Sequence, residues 1–141
     1  MSLLEKQNEI VEEFSVFTDW MDKYNYLIEI SKDINQIDEN NKTEQHLIEG
    51  CQSKVWLNAE LEDDKIRFSA DSDAIITKGI AALLLRVLDN EKPEDIINAD
   101  LFFVDKIGLK QNLSPTRSNG LLAMLKQMKL YAIAFNAKMK K

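Results

Sequence analysis

The sequence predicts an α+β fold in two layers, a small antiparallel sheet packed against several helices. Three observations carry this. Val55, Leu57, Ala59 and Leu61 alternate with polar neighbours, the period of a half-buried strand. Asp63-Asp64 then turns the chain, and Ile66 and Phe68 resume the alternation, so the two strands read as an antiparallel hairpin. Elsewhere apolar residues recur at three- and four-residue intervals, the stripe of an amphipathic helix.

Leu3, Leu4, Ile10, Val11, Phe14 and Phe17 place a first helix at the N-terminus, with its charges outward. Thr18 reads as the cap of a second helix, whose stripe runs through Trp20, Tyr24, Leu27, Ser31 and Ile34, and the two helices are expected to form a hairpin. Residues 35–44 hold little to bury and several turn formers, so they read as a loop, and His46, Leu47 and Ile48 as a short strand after it. Past the hairpin, Asp71-Ser72-Asp73 offers capping oxygens and negative charge to a helix start. The helix that follows, Ala74 to Leu88, has almost no polar face and is expected at the centre of the fold. Gly79 inside it implies close approach of another backbone, with the loop bearing Cys51 as the candidate. Pro93 opens a short helix to Asn98, and Leu101 to Ile107 form an apolar segment that can rim a pocket. Ser114-Pro115 starts a long terminal helix with the stripe Leu121, Leu125, Met128, Ala132, Phe135 and Met139.

The chain of 141 residues fits one domain, 1–141, able to bury a core without disulfides or metal. A net charge of −6 opposes the phosphate attraction that nucleic-acid binders rely on. The charge is uneven: residues 1–100 carry 23 acids and 10 bases, residues 101–141 only 1 acid and 8 bases. Two readings fit, solvated helix faces or a basic face that orients a protein partner. The longest apolar run is shorter than the roughly 20 residues of a membrane span and contains Lys78 and Arg86, so no membrane is expected. The N-terminus lacks the apolar core of a secretory signal, and a lone cysteine suits a reducing cytoplasm. With one histidine and one cysteine, neither a metal site nor a cofactor is expected, and the four glycines are too scattered for a phosphate loop.

Cys51 sits between that polar loop and the first strand. Free cysteine is often a buried apolar filler. Gly50 before it, with Gln52 and Ser53 after it, is poor company for a core position and better company for a thiol in an accessible turn. Both readings stand on the residues alone. His46 is a possible base for Cys51 or a surface histidine in a polar loop.

The run Gly50-Cys51-Gln52-Ser53-Lys54-Val55-Trp56 resembles the signature of SufE-type cysteine desulfuration proteins. Ala70-Asp71-Ser72-Asp73-Ala74 with Lys78-Gly79, and Leu113-Ser114-Pro115-Thr116-Arg117-Ser118-Asn119-Gly120-Leu121, follow in the order and spacing such proteins show. His46 departs from the asparagine common at that place. The resemblance implies a SufE/IscU-like fold and a sulfur relay. Cys51 would accept persulfide sulfur from a pyridoxal-phosphate cysteine desulfurase, stimulate that enzyme, and pass the sulfur to an iron–sulfur scaffold complex. Such a protein is a carrier more than a free-standing enzyme, a monomer or weak homodimer without a cofactor of its own. Gly50, Gln52, Ser53, Asp71, Asp73 and Arg117 are then supporting or docking residues, and the resemblance places the Arg117 block near the cysteine loop. A half-apolar pocket under Trp56 and the Phe102–Val104 cluster would shield the persulfide. Competing readings are a thiol-dependent hydrolase or transferase using Cys51, for which only His46 offers a base, and an interaction module in which the cysteine is incidental.

Overall fold

A computed structural model describes residues 2–49 and 53–140. Two helices lead the chain, α1 (Leu3–Ser15) and α2 (Trp20–Ser31). The start of α1 is a capping box: Ser2 Oγ accepts from the Glu5 amide while the Glu5 carboxylate accepts from the Ser2 amide. At α2 the cap is Asp19, one residue beyond the expected Thr18, with its carboxylate accepting from the Met21 amide at 2.7 Å. Phe14 and Phe17 of the first segment pack their rings against Tyr26, but the backbone that α2 lies along belongs to α3 (Ile75–Leu88).

The hairpin forms as expected. Strand β1 (Val55–Glu62) pairs antiparallel with β2 (Lys65–Ser72), in register from Val55 opposite Ser72 to Glu62 opposite Lys65. Asp63 makes the turn with φ at 59°, a left-handed conformation that aspartate tolerates. Val55, Leu57, Ala59, Ile66, Phe68 and Ala70 face inward and are buried. Their inner face rests on α3, in which Gly79, Ile80, Ala81, Ala82, Leu83, Leu84, Leu85, Val87 and Leu88 are all buried. This is why the sequence leaves that helix no polar face. A Cβ at Gly79 would stand 2.4 Å from the Leu27 carbonyl oxygen, so the backbone that needs this glycine is α2 and not the cysteine loop.

Short helices α4 (Pro93–Asn98), α5 (Phe103–Lys106) and α6 (Leu109–Asn112) lead to α7 (Pro115–Met139). Ser114 caps α7 with Pro115 at its first position, as the sequence predicts. Its buried stripe is Gly120, Leu121, Met124, Met128 and Ala132; Met139 is exposed, so the seam ends before the last turn. The buried residues form one core between the sheet and the helices.

The expected short strand at 46–48 is more irregular. Glu44–His46 is a 3-10 turn, after which Leu47 makes a single antiparallel bridge to Trp56. At the other edge of the sheet, Gln36 bridges Ala70 in parallel. The loop of residues 35–48 therefore begins on the free edge of β2 and ends on the free edge of β1. These bridges occupy part of each strand edge, the kind of edge that invites association when left free. Between its ends it passes over the outer face, where Lys42 Nζ lies 5.6 Å from the Trp56 ring centroid.

Candidate functional site

Gly50, Cys51 and Gln52, on which the leading functional expectation rests, lie outside the described residues. Both flanks of this short segment are fixed. Upstream, the Ile48 amide donates to the Val55 carbonyl at 2.8 Å. Downstream, Lys54 and Asp73 exchange two bonds: the Lys54 amide donates to Asp73 Oδ1 at 3.0 Å, and the Asp73 amide to the Lys54 carbonyl at 3.2 Å. Ser53, half-buried, directly precedes this second anchor. Beneath the anchors, Ile48, Val55, Leu57 and Ala70 pack on Ala81, Leu84, Met124 and Met128, leaving no volume for a water.

Asp71 organises the next layer. It stands opposite Trp56 in the hairpin register and is 7% exposed. Its carboxylate accepts from Gln36 Nε2 at 2.5 Å, from the Ser72 amide at 2.8 Å, and from the Lys42 and Lys78 ammonium groups at 2.5 and 3.3 Å. Burial by itself pushes the carboxyl up, but the donors from Lys42, Gln36, Ser72 and Lys78 outweigh it and hold the pKa down at about 2. Lys42 is raised in turn, first by its bond to Asp71 and then by Glu39, whose carboxylate lies at 2.9 Å.

The expected cap at Asp71-Ser72-Asp73 is thus corrected. The residue at the N-cap position of α3 is Ala74, with no side-chain cap of its own, and Asp71 and Ser72 belong to β2. Only Ser72 retains a local capping role, its Oγ accepting from the Ala74 amide at 3.2 Å. The two carboxylates serve more distant donors, Asp71 the lysines and Asp73 the backbone beside the cysteine segment. Sequence reading missed Gln36 and Lys42, and it quoted Lys78 in a motif without seeing that it pairs with Asp71. The available signal was that Lys42 is the only lysine or arginine between Asp33 and Ser53.

Arg117 is exposed in the first turn of α7, its guanidinium 3.5 Å from Tyr24 Oη. Helices α2 and α3 run in the same sense. Leu27 lies beside Gly79, Ile30 and Ile34 beside Ala82 and Leu85, and Met124 and Met128 beside Ala81 and Leu84. Tyr24, about one turn before Leu27, lies toward the start of α3, so its contact places the Arg117 guanidinium at the end that also holds Asp71 and Asp73. The structure brings Ser53, Asp71 and Asp73 together, and gives Arg117 that end of the molecule but a different partner. His46 is half-buried, with Nδ1 3.2 Å from Thr43 Oγ1.

The pocket expected under Trp56 and residues 102–104 divides in two. Phe103 and Val104 are core residues. Phe102 lines a separate hollow of about 630 Å³ with Leu3, Leu4, Gln7, Glu91 and Asp95. Glu91 bonds to Ile66 near the hairpin turn, so this hollow is at the far end of the strands from Trp56. Among the described residues no group of His, Cys, Asp and Glu is placed to hold a metal ion, and no helix is long and apolar enough to cross a membrane.

Comparisons with known proteins agree with the sequence motifs. The family model of SufE, described as an Fe–S metabolism associated domain, matches residues 8–132. A SufE-like protein of Arabidopsis thaliana, named as chloroplastic/mitochondrial, is 37% identical over 94% of this chain, which spans only 36% of that longer protein. An uncharacterized SufE-like protein of Synechocystis is 36% identical over 89% of this chain and 79% of its own length. One from Rhizobium meliloti is 33% identical over 86% and 91%. A solution structure of a hypothetical protein from Thermus thermophilus superposes with a TM-score of 0.75 over 92% of this chain and 94% of its own, at 23% identity, which shows the shared α+β fold. With its three motifs in order and the family model covering nearly its whole length, the chain belongs to the SufE family, and its role lies in Fe–S metabolism.

Proposed function

We propose that this protein is a sulfur acceptor that takes persulfide sulfur from a pyridoxal-phosphate cysteine desulfurase onto Cys51 and hands it to an iron–sulfur scaffold. Membership in the SufE family supports this, and one observation carries it: the sole cysteine of the sequence lies between Ile48 and Lys54, both held by backbone hydrogen bonds at the end of the hairpin. A thiol that must meet another protein's active site needs such a frame, because orientation supplies much of the rate when two reactants are held together.

The chemistry is thiol exchange. The Cys51 thiolate attacks the terminal sulfur of the desulfurase persulfide. A new sulfur–sulfur bond forms on Cys51, the old one breaks, and its electron pair leaves on the desulfurase thiolate, which takes up a proton. No outside oxidant is required, since the transferred sulfur keeps its oxidation state. The rate depends on thiolate fraction, access and the leaving thiol. Onward transfer repeats the same step with Cys51 as leaving group. The protein itself provides the thiol, its placement and a docking surface; pyridoxal chemistry belongs to the partner.

The test is intact-mass spectrometry after mixing the protein with a desulfurase, pyridoxal phosphate and cysteine. The expected result is a gain of one sulfur atom on Cys51, reversed by reductant and absent in Cys51→Ser. Acyl or other non-sulfur adducts on Cys51 would indicate a thiol hydrolase or transferase. No adduct at all, with no stimulation of the desulfurase, would leave the cysteine incidental.

A further inference from the structure

Residues 35–48 form a strap across the outer face of the sheet, running directly into the cysteine segment. Its first end is stitched to β2: the Ile37 amide donates to the Ala70 carbonyl at 3.2 Å, the Ala70 amide to the Asn35 carbonyl at 3.0 Å, and Asn35 Nδ2 to the Phe68 carbonyl at 2.7 Å. Its last end is stitched to β1 through Ile48 and Val55 at 2.8 Å. Between these ends lie two single-turn 3-10 segments, Glu39–Asn41 and Glu44–His46, with no buried residue in either. Apolar burial therefore does not hold the middle of the strap. A polar groove of about 330 Å³ opens between its first half and Asn58, Glu60, Arg67 and Ser69 on the sheet.

What holds the middle is Lys42. Its ammonium reaches down to Asp71 at 2.5 Å and lies over Trp56, while Gln36, at the strap's start, bonds the same carboxylate at 2.5 Å. Lys78 of α3 meets Asp71 from the helix layer at 3.3 Å. One buried carboxylate thus joins the strap at two points, the sheet and the central helix. Asp71 also lies on β2 two residues before Asp73, the residue that pins Lys54. The strap and the downstream anchor are thereby referred to the same strand.

We propose that Asp71 is a positioning residue: acting through Lys42, it fixes the strap and hence the Ile48 anchor from which the cysteine segment departs, and so sets the rate at which Cys51 accepts sulfur. The inference deepens the relay reading and rests on it for its kinetic half. Its structural half concerns only Lys42, Asp71 and Ile48.

Two measurements on the full chain test it, with Lys42→Met, Lys42→Arg and Asp71→Asn. The first is amide hydrogen exchange. Releasing the clip should speed exchange at Ile48 and Ile37 by about tenfold or more, as local opening does, while amides bonded between β1 and β2 hold their rates. The second is sulfur transfer from a desulfurase, resolved into the concentration for half-saturation and the maximal rate. Lys42→Met should lower the maximal rate by about tenfold with half-saturation little changed, the pattern of lost positioning rather than lost docking. Lys42→Arg, which keeps the charge and the donor, should restore both. Asp71→Asn is expected to match Lys42→Met. Should it not fold, Lys42→Met alone decides, since Lys42 is a strap residue with no core packing. Faster Ile48 exchange with an unchanged transfer rate would overturn the positioning role. Slower transfer without faster exchange would overturn the route through the strap. A parent protein that accepts no sulfur would instead sink the relay reading and leave the exchange result standing.

Discussion

Two charged side chains each gather several partners, and they do so near opposite ends of the central helix, Asp71 through Lys78 in its first turn and Arg86 in its last. Arg86, on α3, reaches Glu9 at 2.7 Å and pairs with Glu13, both on α1, while Tyr26 of α2 donates its hydroxyl to Glu13. Its pKa is raised, chiefly by the hydrogen bond to Glu13. Asp71 gathers Gln36, Lys42 and Lys78. The Arg86 cluster joins three helices that already share an apolar core around Ile10, Phe14 and Leu27. The Asp71 cluster joins a strand and a helix to a strap with little core of its own. Charge in the first reinforces packing; in the second it takes the place of packing. The first kind is expected to matter for stability and the second for the placement of the segment beside it.

The sharpest way to break that comparison is to separate function from stability outright. Cys51→Ser keeps the side chain's size but cannot carry a persulfide. It should abolish sulfur acceptance entirely while shifting the melting temperature by no more than a surface substitution does. If the variant unfolds, Cys51 is a packing residue, and the division between a functional end and a structural body fails.

Gly79→Ala is expected to lower stability without touching function. The added methyl meets the Leu27 carbonyl oxygen at 2.4 Å and Leu27 Cβ at 3.2 Å, so α2 must move away from α3. Overpacking of this kind costs about 1–3 kcal/mol, against which the gain in helix propensity of about 1 kcal/mol is only a partial offset. Denaturant unfolding should show the net loss. Sulfur acceptance per folded molecule should be retained, because Leu27 and Gly79 lie in the helix layer.

How much of this was legible in the sequence depends on the range of the interaction. The hairpin, the buried α3 and the Ser114-Pro115 start of α7 were readable because periodicity and capping are local. The family was readable from resemblance, and the family comparison agrees with it; the role of the cysteine segment rests on that resemblance. Asp71 was misread as a cap because a carboxylate just before a helix looks the same whether it serves amides or cations, and its principal cation is 29 residues upstream. The strap read as a plain loop since its fixing points are single bridges and one lysine. Gly79 was recognised as a close-approach site, but only the tertiary structure names Leu27 as the neighbour. Phe102 was grouped with Trp56 because both are aromatic residues in apolar runs, whereas the hairpin's length keeps them apart.

Acid should weaken both clusters and permits a direct test of the Asp71 contribution. Its folded pKa of about 2 lies below the ordinary value of 3.8, so the unfolded chain binds its proton first. The stabilisation is therefore fully present above pH ~4 and is lost as pH falls from there through about 2. A displacement of this size corresponds to about 2 kcal/mol. Glu13 is lowered as well, foremost by its bond to Arg86, and its contribution disappears in acid in the same direction. Unfolding measured between pH 5 and pH 2 should show a shallower loss in Asp71→Asn than in the parent. Equal slopes would mean that the lysines and Gln36 do not favour the ionised carboxylate in solution.

The smallest expected effect concerns Arg117, which belongs to neither cluster. It is exposed, and its guanidinium makes a long contact to Tyr24 at 3.5 Å. It shares with Asp71 and Asp73 the end of the molecule where Lys54 is bonded to Asp73, and it lies in a terminal region of 1 acid and 8 bases. An exposed charge near a docking surface acts mainly on the association rate and its salt dependence, with little effect on chemistry. Arg117→Glu should therefore weaken half-saturation of a desulfurase by about threefold to tenfold at low salt, with an unchanged maximal rate and an unchanged melt. The difference should shrink as ionic strength rises toward 1 M, where the screening length falls to about 3 Å. A defect in the maximal rate that persists at high salt would place Arg117 beside Lys42 among the positioning residues. No difference at any salt would move the docking surface off the α7 start, leaving the strap side of the cysteine segment as the face the desulfurase meets.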